Sequence, residues 1–335
     1  MKKRVGCAVI GLGRIGTLLE EDRLREKPCT HAGAIYADPD SMLLGGCDID
    51  KKRCRTFSKR WNGLPVFSRV DDLIEAVNPD IVCVATPPET HLPIIESVLQ
   101  TSVRLVICEK PLAPGSAEAS QIARYHQGGR VKIMTNHERR YSADYLRVRD
   151  HIVSHAFGEL LSIGSRVYMG ERRPVLEMML DDGTHLIDIL RFLTGSELTD
   201  VHAELLEGDR GETLFVRCNG GDVPLWMEFG AGRDHIVFEL DLSFSEGRIR
   251  IGNGLYEEYM SDNSPYYEHM KSLIPTGAAG PRQTGFFSNM LRDAVACAIE
   301  VSREPRSTAV DGYCSIQFID RVRELVGMYE KLYFG

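Results

Sequence analysis

A chain of 335 residues that is 43% hydrophobic and 26% charged has the make-up of a folded globular protein, which excludes a disordered or fibrous one. Its length fits about two domains, each large enough to bury a core without disulfide or metal staples. With 40 basic against 48 acidic residues the net charge is −8, which argues against a surface built to neutralise nucleic-acid phosphates.

The start, Met1-Lys2-Lys3-Arg4-Val5, is basic, but the apolar run behind it ends at Ile10 and meets glycines, too short for a secretory signal. No stretch approaches the ~18 apolar residues of a membrane span. Nine cysteines lie scattered with no Cys-x-x-Cys pair, several inside apolar runs, as buried thiols in a reducing compartment would. The expected location is the cytoplasm. Residues 5–10, 42–47, 81–85, 103–108 and 131–134 are short, nearly continuous apolar runs, the pattern of parallel strands covered on both faces. Helical segments alternate with them. Asp71 and Asp72 open one that Pro79 stops, residues 91–100 keep Leu92, Ile95 and Val98 on one stripe, and another runs from Ser116 to Gly128-Gly129. This alternation predicts an α/β doubly wound parallel sheet, a Rossmann domain over residues 1–135, with ligands bound at the carboxyl ends of its strands.

From about Ser142 strict alternation takes over. Phe238, Leu240, Leu242 and Phe244 interleave with Glu239, Asp241 and Ser243, and Glu246-Gly247 turns the chain into Arg248-Ile249-Arg250-Ile251. Asn219-Gly220-Gly221-Asp222 marks a second hairpin. The prediction for residues 136–335 is an α+β domain with an open, mainly antiparallel sheet, closed by two helices near 284–301 and 311–331.

Gly11-Leu12-Gly13-Arg14-Ile15-Gly16 directly follows the first strand. There the first glycine permits a tight turn, the second lets backbone approach a pyrophosphate, and the third lets helix and strand pack closely. Asp48, ending the second strand, is placed to accept from ribose hydroxyls and to repel a 2′-phosphate, which favours NAD over NADP; Lys51, Lys52 and Arg53 keep NADP in view. Asp48 lies 32 positions after Gly16, against about 20 in the usual fingerprint, so something is inserted. The charged stretch 19–28 is the segment expected to be extra, a surface loop or a lid, with Thr30 capping a helix that resumes at His31.

Cys108-Glu109-Lys110-Pro111 comes at a strand's carboxyl end, where a lysine can polarise an oxygen that changes charge. Ala85-Thr86-Pro87-Pro88-Glu89-Thr90-His91 ends the strand before it. In the second half, Asp181-Asp182-Gly183-Thr184-His185-Leu186-Ile187-Asp188 opens an apolar helix. Asp181 and His185, four apart, would share a face and make His185 a proton shuttle, while the structural alternative is an acidic first turn that merely caps the helix. No third ligand at a convincing spacing suggests a metal site.

Taken together, Gly11-x-Gly13-x-x-Gly16, Asp48, Ala85-Thr86-Pro87 with His91, Glu109-Lys110-Pro111 and Asp181-x-x-x-His185-x-x-Asp188 resemble the glucose-fructose oxidoreductase, inositol dehydrogenase and rhizopine-catabolism (Gfo/Idh/MocA) family. The resemblance runs along nearly the whole chain, including Arg303-Glu304-Pro305, Asp311-Gly312 and a last helix. It implies an NAD(P)-dependent dehydrogenase moving a hydride between nicotinamide and a secondary hydroxyl of a sugar, cyclitol or other polyol. His185 would be the acid/base with Asp181 as partner, and Lys110 would touch both nicotinamide and substrate oxygen. Gly11, Gly13, Arg14, Ile15, Gly16, Asp48, Thr86, Pro87, His91, Glu109 and Lys110 would line the cofactor. Asn136, Arg140, Tyr141 and Arg172 would join Lys110, Asp181 and His185 around the substrate. The second sheet would form the substrate wall and the contact of a homo-oligomer. Asp182, where the family usually has an apolar residue, and Val175-Leu176-Glu177-Met178-Met179-Leu180, in place of a glycine-rich run, depart from the pattern. Two rival expectations are a glycoside hydrolase using transient oxidation by bound NAD, and a nucleotide sensor without turnover.

Overall fold

Six short strands build the first sheet of the structure, a computed structural model that describes residues 4–170, 173–209 and 211–333. They are β1 (Val5–Ile10), β2 (Ser41–Cys47), β3 (Val66–Phe67), β4 (Ile81–Val84), β5 (Leu105–Cys108) and β6 (Lys132–Thr135). Every residue of β1, β4 and β5 is buried, because helices cover both faces. All pairs are parallel, in the order β3-β2-β1-β4-β5-β6. The order reverses between β1 and β4, so the crevice for a ligand opens at the carboxyl ends of those two strands. Two apolar layers sandwich the sheet, one around Leu12, Ile35, Phe57 and Ile107, the other around Ile10, Leu73, Ile95 and Ile122. The α/β Rossmann expectation holds.

The first crossover is a spliced helix. After the glycine turn, Thr17 N and Leu18 N donate to Gly13 O, and Leu19 N donates to Arg14 O, then a single 3₁₀ turn (Leu18–Glu21) leads away. The helix resumes at His31–Ala37, capped by Thr30, whose Oγ1 accepts from Gly33 N at 3.0 Å. His31 N donates to Ile15 O at 3.1 Å and Ala32 N to Gly16 O at 3.0 Å. Those carbonyls would bond residues 19 and 20 in an unbroken α-helix, so 31 and 32 occupy their places and 12 residues are looped out. Without them Asp48 would fall 20 positions after Gly16, the ordinary spacing. The excursion is held by Glu20, whose carboxylate accepts from Thr30 Oγ1 at 2.7 Å and from Cys29 N at 3.3 Å, by a Glu21–Arg60 ion pair, and by Lys27 Nζ on Leu19 O at 2.9 Å. Deleting residues 19–30, which joins Leu18 to His31, is expected to leave a folded protein. Thermal unfolding should report a stability change of about 2 kcal/mol or less, since the Thr30 cap and a surface ion pair are lost while a closed loop is removed.

The first unit holds the chain up to Ser142 together with Gly285–Ile316; the second holds Ala143–Thr284 and the chain from Gln317. The segment 285–316, expected in the second domain, therefore belongs to the first, and so do residues 136–142. The reason is the helix Phe286–Ile299, whose Phe287, Met290, Leu291, Ala294 and Val295 enter the first sheet's core. Each of these except Ala294 contributes roughly 1.5–3 kcal/mol on burial. Lys132 of β6 fastens the far end of this helix, its Nζ donating to Cys297 O, Glu300 O and Arg303 O at 2.9, 2.9 and 2.6 Å. All three ammonium protons thus find carbonyls at or just beyond the helix end.

In the second unit lie β7 (Leu160–Tyr168), β8 (Leu198–Leu206), β9 (Thr213–Gly220), β10 (Val223–Gly230), β11 (Val237–Phe244), β12 (Gly247–Gly252), β13 (Leu255–Asn263) and β14 (Lys271–Pro275). They form one open sheet in the order β14-β13-β12-β11-β7-β10-β9-β8, antiparallel except for the β7–β10 pair. Both expected hairpins are present, with Leu240 opposite Ile251 and Val223 opposite Gly220. Phe238, Leu240, Leu242 and Phe244 turn inward, onto a helical layer that includes Leu186, Leu190, Phe318 and Val322. Among the described residues no helix is long and apolar enough to cross a membrane.

Candidate active site

Gly11 adopts φ +90°, and a Cβ there would lie 2.4 Å from Ala85 O, so the ends of β1 and β4 touch only because this residue has no side chain. At Gly16 a Cβ would lie 2.0 Å from Gly11 O, which closes the turn on itself. Among the described residues no acceptor bonds the amides of Gly13, Arg14, Ile15 and Gly16, while Gly11 N and Leu12 N are paired with Cys47 O and Asp48 Oδ2. A turn of successive unmet N–H groups at the start of a helix, kept open by glycine, fits a pyrophosphate.

Asp48 is 7% exposed, its Oδ2 accepting from Leu12 N and its Oδ1 from Asp50 N, both at 2.8 Å. The carboxylate is thereby fixed beside the glycine turn with lone pairs remaining on both oxygens. Arg53 Nη1 stands 3.6 Å from Asp48 Oδ2. Arg53 belongs to the helix Lys51–Arg60, capped by Asp50, which the sequence reading passed over although an aspartate before a cationic run is a cap signal.

At the end of β4, Thr86 is half-buried and Pro87 exposed. His91 does not line an open crevice, as expected of it; it is fully buried, with Nε2 2.8 Å from Thr86 O and Nδ1 3.1 Å from Leu112 O. It sits between the β4 loop and the β5 loop, its one N–H bonding one of these two carbonyls. Burial holds its pKa below the ordinary 6.5, against the pull of the two carbonyls. The unfolded chain therefore takes up a proton near pH 6.5 that the folded one refuses. Stability should be full above that pH and fall below it, by at most about 1.4 kcal/mol per pH unit from this group. Denaturation midpoints between pH 7.5 and 5.5 measure this, and a His91→Gln variant should show a shallower slope.

At the end of β5, Glu109 is 6% exposed. Its Oε1 accepts from His31 Nε2 at 2.7 Å and from Asn136 Nδ2 at 2.5 Å, and its Oε2 from Lys110 N at 3.3 Å. Burial alone would push this carboxyl up; His31, Asn136 and the nearby Lys110 outweigh it and hold it below the ordinary glutamate range. Lys110 itself is half-buried.

Asn136, Arg140 and Tyr141, expected around a substrate, lie in the interior instead. Asn136 is 1% exposed. Arg140 Nη1 donates to Arg306 O and Nη2 to Asp311 Oδ1, both at 2.9 Å. Tyr141 is fully buried, donating to Asp293 Oδ2 at 3.1 Å and accepting from Ser307 N at 3.1 Å. These two clamp the returning segment 285–316 into the first unit, where a charged or phenolic group must be fully hydrogen-bonded. Arg172 lies outside the described residues.

The acidic pair in the second unit does not open a helix. A helical run begins at Val175–Met178 behind Pro174, passes through a π turn at Met179–Gly183, and continues as Thr184–Thr194. Asp181 and Asp182 sit inside that π turn, where bonds run i→i+5. Both pair with Arg173, whose Nη1 reaches Asp181 Oδ2 at 2.6 Å and Nη2 reaches Asp182 Oδ2 at 2.5 Å. His185 is half-buried and Asp188 fully buried. Arg173 was legible only as one arginine among several. Among the described residues no group of three or more His, Cys, Asp or Glu is placed to hold a metal.

The oxidoreductase family with an NAD-binding Rossmann fold, Gfo/Idh/MocA, matches residues 5–137, the span of the glycine turn, Asp48 and Lys110. The Rossmann part of the chain, residues 5–137, belongs to this family. Inositol 2-dehydrogenase 1 from Paenarthrobacter aurescens is 26% identical over 287 residues, covering 80% of this chain and 77% of that protein. An inositol 2-dehydrogenase from Arthrobacter is 28% identical over 285 residues, covering 79% and 77%. The solved dehydrogenase from Chromobacterium violaceum superposes with TM-score 0.82 at 16% identity over 98% of this chain and 97% of that one. An Agrobacterium radiobacter oxidoreductase in complex with NAD+, L-tartaric acid and magnesium gives 0.75 at 17% identity over 97% of each chain. At such identities the two structures speak for the fold alone: this chain shares the fold of both domains with them.

Proposed function

We propose that this protein is an NAD-dependent dehydrogenase acting on a secondary CH–OH carbon of a cyclitol, sugar or related polyol. The single observation that carries the reading is the line-up of neighbouring strand ends. β2 brings Asp48, β1 the amide-lined glycine turn, β4 Thr86 and Pro87, and β5 Lys110, all on one edge of one sheet. The inositol dehydrogenases among its relatives support the substrate class.

The turn Gly11–Gly16 would hold the pyrophosphate on its amides, and Asp48 the adenosine ribose; the fixed carboxylate supports NAD over NADP by repelling a 2′-phosphate. When bound, the nicotinamide supplies the hydride acceptor. His185 takes the hydroxyl proton, its ring set by the second unit's helical run. Asp181, with its charge shared by Arg173, is the carboxylate assigned to that imidazole. Lys110 stabilises the negative charge that grows on the substrate oxygen as the proton leaves. The outer face of the second sheet, where Trp226 and Phe215 are 48% and 41% exposed, supports self-association, and the reading places the enzyme in the cytoplasm.

The test is a panel of cyclitols, sugars and glycosides incubated with NAD and, separately, NADP. The expected result is a substrate-dependent rise in NADH absorbance with at least one free polyol, larger than with NADP. Glycoside cleavage without NADH accumulation would replace this reading with oxidation-linked elimination. Cofactor binding with no turnover of any kind would leave a sensor.

A further inference from the structure

We propose that His31 and Asn136 are positioning residues for Lys110, acting through the carboxylate of Glu109. This rests on the function proposed above, in which Lys110 meets the reacting oxygen.

Four residues from three places in the chain converge at the end of β5. Glu109 is the residue before Lys110, and its Oε2 accepts the Lys110 N–H at 3.3 Å. β5 ends at Cys108, so Lys110 stands beyond the strand itself. What aims the carboxylate is its other oxygen, which takes His31 Nε2 at 2.7 Å and Asn136 Nδ2 at 2.5 Å. Asn136 is itself fixed by its backbone, Asn136 N donating to Cys108 O at 2.7 Å, and Glu109 N donates to Val84 O at 2.9 Å. His31 is seated by the splice, its N–H on Ile15 O, and by the ring of Phe287 at 5.4 Å edge-on. The looped-out segment thus begins and ends where it must if His31 is to stand one turn beyond Gly16.

Stability alone does not account for the cluster. His31, Glu109 and Asn136 are 1%, 6% and 1% exposed, and two of their polar atoms, His31 Nδ1 and Asn136 Oδ1, are buried with no hydrogen-bond partner among the described residues. A buried ionised carboxylate and two unmet polar atoms cost free energy that an apolar trio of the same volume would not. The unmet Nδ1 also fits a ring whose proton sits on Nε2, where it points at Glu109. What the cost secures is direction: the backbone from which the Lys110 side chain departs is pinned within a hydrogen-bonded frame, as a group that must meet a developing oxyanion requires.

The experiment compares the full-length wild type with His31→Leu, which removes the donor, and His31→Gln, which restores one. Two quantities are read, kcat and KM with the best polyol and NAD, and amide hydrogen exchange at Lys110 against Val106 and Cys108 in β5. In His31→Leu, kcat should fall at least tenfold with the KM for NAD within about twofold, and the Lys110 amide should exchange at least tenfold faster while Val106 and Cys108 stay protected. His31→Gln should recover both to within about threefold of the wild type. Unchanged exchange at Lys110, a loosening of all three amides together, or a His31→Gln as impaired as His31→Leu would each overturn the proposal. Should His31→Leu fail to fold, Glu109→Gln, which keeps size and removes charge, is read by the same exchange measurement: faster at Lys110 supports the proposal, unchanged overturns it. A wild type that reduces no NAD with any polyol would remove the proposed activity, and the exchange at Lys110 would still decide the positioning role.

Discussion

Replacing Lys110 by alanine is expected to lower kcat about 100- to 1,000-fold, the usual loss when one preorganised donor to a developing oxyanion is removed. The effect should fall mainly on kcat. The amides of the glycine turn and Asp48 sit on other strand ends and keep their own hydrogen-bonding capacity, so NAD affinity, followed by NADH fluorescence, should stay within about threefold. Lys110→Arg is expected to recover little, because a planar guanidinium on a different stem cannot reproduce a compact ammonium at a single point. A Lys110→Ala enzyme with near-normal turnover would take this residue out of the mechanism.

The second large effect is expected at Gly16. An alanine there would place its Cβ 2.0 Å from Gly11 O, closer than any real contact, and the opposing atom is backbone rather than the tip of a flexible side chain. The turn must open. Overpacking of this kind costs about 3 kcal/mol, and here the displaced atoms are those that carry the proposed pyrophosphate site. Dissociation of NADH should become at least about 100-fold easier, and the unfolding midpoint should drop, both measurable on one purified variant. Because Ile15 O and Gly16 O also anchor His31 and Ala32, the same change should loosen the spliced helix.

Much of the first sheet was legible because its strands are covered on both faces, which turns burial into unbroken apolar runs such as 5–10 and 81–84. What escaped were elements whose burial is slight. β3 is two residues long, Val66 and Phe67, and the helix Lys51–Arg60 buries only Cys54 and Phe57 among charges. The spacing between Gly16 and Asp48 did announce an insertion, but only the hydrogen bonds to Ile15 and Gly16 reveal that it is a splice of 12 residues rather than a longer helix. Composition could not distinguish Asn136, Arg140 and Tyr141 as interior groups, since polar residues after a strand look alike until their partners, 27 to 171 positions away, are known. The π turn that carries Asp181 and Asp182 escaped for a local reason: no residue type in Met179–Gly183 signals one.

The return of 285–316 to the first unit has a consequence for how the protein is made. Until the ribosome has passed that stretch, the face of the first sheet that will receive Phe287, Met290 and Leu291 is bare, and Lys132 has no helix end to hold. The nascent nucleotide-binding half must therefore wait, apolar surface uncovered, while the whole of the second sheet is synthesised, which is when a chaperone has the most to shield.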